Sequence, residues 1–151
     1  MNDNLLFIYG TLMSGQDLNK MMAEAQYIGR ARTYSHPPLL MYADTIPYAV
    51  EVRTPYDSHT VSLLLRQLGV EGVIHGELWR VSDHTLAMLD ALEGHPTAYK
   101  RTLLRHVRNY ARAYDEGDAF LDAYAYIYQG DPAGFGASLI PSGDFRNATA
   151  R

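Results

Sequence analysis

Val73-Ile74-His75-Gly76-Glu77-Leu78-Trp79-Arg80-Val81-Ser82-Asp83-His84-Thr85-Leu86-Ala87-Met88-Leu89-Asp90-Ala91-Leu92-Glu93-Gly94 is the stretch that organises this chain. Gly72 to Val81 reads as a strand, and Ser82 to Leu92 as a helix that follows at once. Ser82 is placed to cap the helix, Gly94 to end it, and Pro96 lies just beyond. Leu86, Leu89 and Leu92, with Met88 beside them, form the apolar stripe. Glu93 comes seven positions after Leu86, so at about 100° per residue it falls about 20° from Leu86, on that stripe. Asp90 lies to its side. A carboxylate on an apolar face is costly unless it is paired or kept for chemistry. The negative end of the helix macrodipole and burial both raise its proton affinity, towards the range of a general acid or base near neutral pH. The alternative is structural: an ion pair with an arginine such as Arg101, or a side chain that frays into solvent.

Working outward, Leu5-Leu6-Phe7-Ile8-Tyr9 is a short apolar run that reads as a buried first strand, with a loop starting at Gly10. In Tyr9-Gly10-Thr11-Leu12 the glycine lets the backbone approach a ligand closely, and successive N–H groups can form an anion-binding concavity. Such a loop suits a carboxylate or the oxygen of a reacting carbonyl. It lacks the repeated glycines and the Lys-Ser/Thr of a phosphate loop.

Asp17 to Ala25 has helical spacing at Leu18, Met21, Met22 and Ala25. Tyr27 to Tyr34 and Tyr48 to Arg53 read as strands around a proline-rich connection (Pro37, Pro38, Pro47). Ser58 to Leu68 reads as a helix with Val61, Leu64, Leu65 and Leu68 on one face, Ser58 as cap and Gly69 as stop. Lys100 to Tyr110 and Ala119 to Tyr128 read as a hairpin across Asp115-Glu116-Gly117-Asp118. In its second strand Tyr124, Tyr126 and Tyr128 share a face. The tail from Asp131 reads as a surface loop. Strands outnumber helices without regular alternation, so the expected class is α+β: one domain over 1–151, built as a small, partly closed mixed β-barrel with surrounding helices.

Composition narrows the chemistry. The chain has 151 residues, 47% of them hydrophobic, a formal net charge of −4 and no cysteine. Disulfides, thiolate zinc sites and a cysteine nucleophile are excluded. The basic residues Lys100, Arg101, Arg105, Arg108 and Arg112 read as the solvated face of a strand pair, so nucleic acid is not an expected partner. His75 and Glu77 have the His-x-Glu spacing of zinc deaminases but lack the following cysteine pair. His36, His59, His84, His95 and His106 are scattered without ligand spacing, and no metal is expected. Ser138 and Ser142 lack a nucleophile-elbow pattern. Met1 to Asn4 has no basic region, and Leu5 to Ile8 is too short to span a membrane, so the expected compartment is the cytoplasm.

Several separated pieces together resemble the gamma-glutamylcyclotransferase-like family. Phe7 to Leu12 resembles its strand and Tyr-Gly-Ser/Thr-Leu loop. Asn19, and Gly29, Ala31 and Thr33, fall at matching places. Val73 to Trp79 is similar to its Gly-Glu-Leu-aromatic strand. Leu89-Asp90-Ala91-Leu92-Glu93-Gly94 with Tyr99 and Arg101 is similar to its Leu-Asp-x-x-Glu-Gly…Tyr-x-Arg signature. Pro141 to Phe145 resembles the Gly-Asp-aromatic ending of the gamma-glutamylamine branch and its bacterial relatives. The resemblance implies a small mixed barrel with a cavity, a catalytic Glu93, and substrate held by Tyr9, Gly10, Thr11, Leu12 and Tyr99. It implies no metal and no cofactor. The implied reaction cyclises a small gamma-glutamyl amide to 5-oxoproline and releases the amine. The departure from the pattern is Thr54 to Glu71, longer than expected and helical: a lid, a contact in a homodimer, or a neutral insertion. Two other readings stand beside this one: a non-catalytic module that binds a gamma-glutamyl-like or carboxylate ligand, and cyclisation of a substituent on a larger molecule.

Overall fold

The computed structural model describes residues 3–16, 18–34, 38–52, 54–131 and 136–146. Met1, Asn2, Asp17, His36, Pro37 and Arg53, which enter the expectations above, lie outside the described residues.

Five strands close a barrel in the order β1-β5-β2-β6-β7: β1 (Asp3–Ile8), β5 (His75–Ser82), β2 (Gln26–Arg32), β6 (Tyr99–Asn109) and β7 (Phe120–Tyr128). Neighbours are antiparallel except at the closure, where β1 meets β7 in parallel through Leu6 and Tyr124. Closure pairs the edges that an open sheet would leave exposed. Leu6, Phe7, Leu78, Val81, Val107 and Ala125, from both faces of its strands, belong to one buried hydrophobic core. A second sheet of order β4-β3-β8 is formed by β4 (Pro47–Glu51), β3 (Leu39–Ala43) and β8 (Ser138–Ile140).

The helices are α1 (Ser58–Gln67) and α2 (Asp83–Glu93). The α2 helix begins as its sequence says. Ser82 Oγ accepts from Thr85 N at 3.2 Å, and Gly94 ends the helix at φ 69°, a left-handed conformation that glycine adopts without strain. Thr85, Leu86 and Leu89 face the core, and Leu89 is fully buried. No helix among the described residues is long and apolar enough to cross a membrane.

Five local expectations need correction. The helix expected over Asp17 to Ala25 is only a 3-10 turn at Asn19–Met22, because Leu18 supplies no side-chain cap and the segment bonds back to the preceding loop instead. The cap of α1 is Asp57, whose Oδ1 accepts from Thr60 N at 2.8 Å, rather than Ser58. The buried residues of α1 are Val61 and Ser62, while Leu64 and Leu68 are exposed. On α2, Leu92 and Met88 are also exposed; the core-facing stripe is narrower than the run of leucines suggests. Strands β3 and β8 lie in segments read as a connection and a surface loop. They are short and pair mainly with each other and with β4. The tail is tied down further by Phe145, which is buried, and by Gly143 O, which accepts from His75 N at 2.8 Å.

Of the basic residues in and after β6, Arg105 and Arg112 lie on a solvated face, whereas Arg101 is mostly buried against Asp90. Arg105 pairs with Asp122 and Arg112 with Asp118, both at 3.0 Å and largely exposed.

Candidate active site

The C-terminal end of β1, the start of β6, the end of β7 and the last turn of α2 surround a cavity of about 400 Å³, a size suited to a small ligand. Glu93, Tyr9, Gly10, Thr11, Leu12 and Tyr99 all line it, so the structure brings together every residue singled out for the site. Leu18, Ile46, Pro47, Ala98 and Tyr126 complete much of the wall.

Glu93 is the last residue of α2, held over the cavity by the anchoring of Leu89 and Leu86 one and two turns earlier. Among the described residues, no hydrogen bond or ion pair engages its carboxylate. Arg101, its anticipated partner, pairs instead with Asp90 at 3.3 Å. Burial disfavours the ionised form, and the pKa of Glu93 rises from 4.5 to about 7. A carboxyl with that pKa accepts and returns protons near neutral pH.

The loop opposite is built by its own backbone. Gly10 O accepts from Met13 N at 3.0 Å, Thr11 O from Leu18 N at 2.8 Å, and Leu12 O from Asn19 Nδ2 at 2.8 Å. The carbonyls are thus turned into the protein. Among the described residues, no carbonyl accepts from the N–H groups of Gly10, Thr11 or Leu12. A row of unspent donors is what an anionic or carbonyl oxygen requires. Gly10 is obligatory for space: a Cβ there would stand 2.5 Å from Pro47 Cγ.

The phenols serve as walls. Tyr9 donates its hydroxyl to Tyr126 O at 2.5 Å, and Ala49 N donates to the same hydroxyl at 3.4 Å, so Tyr9 clips β1 to β7 and β4. Burial, with Tyr99 and Glu93 nearby, holds its pKa well above the usual range. Tyr99 donates to Pro47 O at 3.2 Å, and burial, reinforced by Glu93, raises its pKa too. Both stay protonated and neutral near pH 7.

Glu77 is a second buried carboxylate, 4% exposed, but its Oε1 is spent on Ser14 N, Ser14 Oγ and Trp79 Nε1 at 2.9, 3.3 and 3.1 Å. It braces the segment after the loop. His75 contacts Glu71 at 3.3 Å. Among the described residues, no group of three or more His, Asp or Glu side chains is placed to hold a metal ion.

None of residues 54–71 lines this cavity. Arg66 and Glu71 instead border a separate depression with Arg32, Tyr34 and His75. The sequence reading missed Leu18, Ile46, Pro47 and Ala98 as cavity wall. Of these, Pro47 was read only as part of a proline-rich connection. It also missed Asp90 as the partner of Arg101, although the two stand in the same signature.

Known proteins resemble this chain in sequence and in fold. The sequence profile of the family described as gamma-glutamyl cyclotransferase, AIG2-like, matches residues 6–147. A Vibrio cholerae protein, assigned by name and provisionally to the gamma-glutamylcyclotransferases, is 31% identical over 143 residues, 94% of this chain and 95% of its own length. The gamma-glutamylaminecyclotransferase of Rattus norvegicus is 30% identical over 105 residues, 66% of this chain and 61% of the rat protein. The crystal structure of an AIG2-like protein from Mus musculus superposes with a TM-score of 0.68 at 23% identity, covering 95% of this chain and 90% of that one, which shows a shared fold.

Proposed function

The chain belongs to the gamma-glutamyl cyclotransferase, AIG2-like family, and from that premise we propose that it is a single-domain, metal-independent enzyme that cyclises a small gamma-glutamyl amide to 5-oxoproline and releases the free amine. The observation that carries this reading is Glu93: a carboxyl without an ion-pair partner, with a pKa of about 7, in one cavity with the free N–H groups of Gly10, Thr11 and Leu12.

The nucleophile belongs to the substrate. Its α-amine attacks its own γ-carbonyl carbon, the new C–N bond closes a five-membered ring, and the bond to the leaving amine breaks. No serine or cysteine is required. The α-ammonium carries three protons and the lactam keeps one. The other two reach the departing amine, so a single carboxyl that cycles twice closes the proton count. Glu93, ionised, takes a proton from the α-ammonium and, protonated, delivers it to the leaving nitrogen. The loop N–H groups hold the α-carboxylate or the oxyanion that develops on the γ-carbonyl. Tyr9, Tyr99 and Tyr126 shape the wall that folds the substrate into a near-attack conformation.

A module that only binds its ligand would hold the α-ammonium best with a fully ionised carboxylate, whereas a carboxyl with a pKa of about 7 suits proton transfer and costs stability when ionised. That cost favours the catalytic reading. The test is incubation with gamma-glutamyl amines, gamma-glutamyl amino acids and glutathione, without added metal, following 5-oxoproline. Release by the wild type and loss of release in a folded Glu93→Gln variant is the expected result. Substantial turnover by that variant would remove Glu93 from the mechanism.

A further inference from the structure

Behind the cavity wall lies a charged cluster that the mechanism does not use. Asp90 stands three residues before Glu93, one helical turn back. Its Oδ1 accepts from Tyr126 Oη at 2.7 Å, and its Oδ2 lies 3.3 Å from Arg101 Nη1. The Arg101 guanidinium also sits over the ring of Tyr124, 5.1 Å from its centroid. The backbone closes the cluster: His95 N donates to Asp90 O at 2.9 Å, and Arg101 N donates to His95 Nδ1 at 3.0 Å. Asp90 thus joins the last turn of α2 to β6 and β7. Both charged side chains are mostly buried, 23% exposed for Asp90 and 25% for Arg101.

Resting on the assignment of Glu93 as the proton carrier, we infer that Asp90 is a positioning residue that acts electrostatically. It binds Arg101 and Tyr126 and so keeps that arginine from pairing with Glu93. The two carboxyls share one neighbourhood, since Tyr126 feels the charges of Asp90, Arg101 and Glu93 together. The other groups around Glu93 are the phenols of Tyr9 and Tyr99, which are neutral near pH 7, and, farther out on the β3–β4 turn, the exposed Asp44 that Tyr99 senses. In the wild type burial alone raises the Glu93 pKa, as expected where the paired charges of Asp90 and Arg101 offset one another. An opposite charge within a few ångströms lowers a carboxyl's pKa by about 1–3, and an added like charge raises it. Release of Arg101 would therefore make Glu93 a weaker base.

The experiment compares Asp90→Asn, Arg101→Gln and the double variant. The readouts are the acid limb of the kcat/KM profile and, separately, the Glu93 carboxyl titration followed by carbon-13 NMR. Asp90→Asn unbalances Arg101, so Glu93 should titrate about one pH unit lower than in the wild type. Arg101→Gln leaves Asp90 as an uncompensated anion, so Glu93 should titrate higher. The double variant should return close to the wild-type value. A merely structural brace predicts lost stability and lower kcat in both single variants, with no opposed shifts and no restoration. Equal or same-sign shifts in the two single variants, or a double variant no nearer the wild type than either, would overturn the inference. The NMR titration is independent of turnover. If the wild type releases no 5-oxoproline, the proposed reaction fails while the opposed shifts still decide the role of Asp90.

Discussion

Replacing Glu93 by glutamine should stabilise the folded protein while abolishing turnover, and the stabilisation should depend on pH in one direction only. The unfolded chain ionises Glu93 near 4.5, whereas the folded protein holds the proton until about pH 7. Below pH 4.5 both states are protonated and the carboxyl costs nothing. Between those values the folded state binds more protons than the unfolded one, so wild-type stability falls as pH rises. Above about pH 7 both states are ionised and the penalty stays at its full value. At about 1.4 kcal/mol per pH unit, the displacement from 4.5 to about 7 sets a ceiling of about 3–4 kcal/mol. Partial solvent access to Glu93 reduces this to roughly 1–3 kcal/mol. Glutamine matches the neutral acid in shape and does not titrate. Thermal unfolding of both proteins from pH 4.5 to 8.5 should give coincident midpoints at the acid end. By pH 8.5 the variant should lead by several degrees, given about 2–4 °C per kcal/mol for a domain of this size. A difference independent of pH, or a variant less stable than the wild type at pH 8.5, would refute the claim that burial strains an ionised Glu93.

The kcat/KM profile of the wild type should rise through an acid limb near pH 7, because the free enzyme needs Glu93 ionised to accept a proton; a limb near 4.5 would mean that Glu93 is not the base. Gly10→Ala drives a Cβ to 2.5 Å from Pro47 Cγ, and such overpacking costs roughly 1–3 kcal/mol; the measurements are the unfolding midpoint and KM, with KM expected to rise as the loop N–H groups move. Leu89→Ala empties a fully buried position between α2 and the barrel and should cost about 2–5 kcal/mol in denaturant unfolding.

Much of the site was legible before any coordinates, because its two halves are local. The strand ending at Tyr9-Gly10 and the helix ending at Glu93-Gly94 each carry their own signals: an apolar run cut by glycine, a serine cap, a left-handed glycine stop. The heptad relation of Glu93 to Leu86 placed the carboxyl towards the core, and burial of Leu86 agrees with it. The same local reasoning failed where the outcome depends on distant chain. Leu92 and Leu64 fit apolar helical stripes yet are exposed, Leu92 as part of the cavity wall. Strands β3 and β8 are held by pairing across about a hundred residues of sequence, with Tyr42 against Leu139, and their own composition gives little sign of it.

The sequence by itself determined the order and type of the barrel elements along the chain and carried the family resemblance, because these rest on periodicity, capping and short-range spacing; it marked Glu93 as a candidate and left an ion pair with Arg101 open. Only the tertiary structure decided whether that carboxyl was paired. Asp90 and Glu93 both lie in the last turn of α2, and the sequence offered only Glu93 as a partner for Arg101. The fold gave Arg101 to Asp90, with Tyr126 as a second ligand to the same carboxylate, and left Glu93 in the cavity. The reason is geometric: which of two neighbouring carboxylates meets an arginine on a separate strand depends on how helix and sheet are docked, and docking is set by long-range contacts that no local pattern encodes.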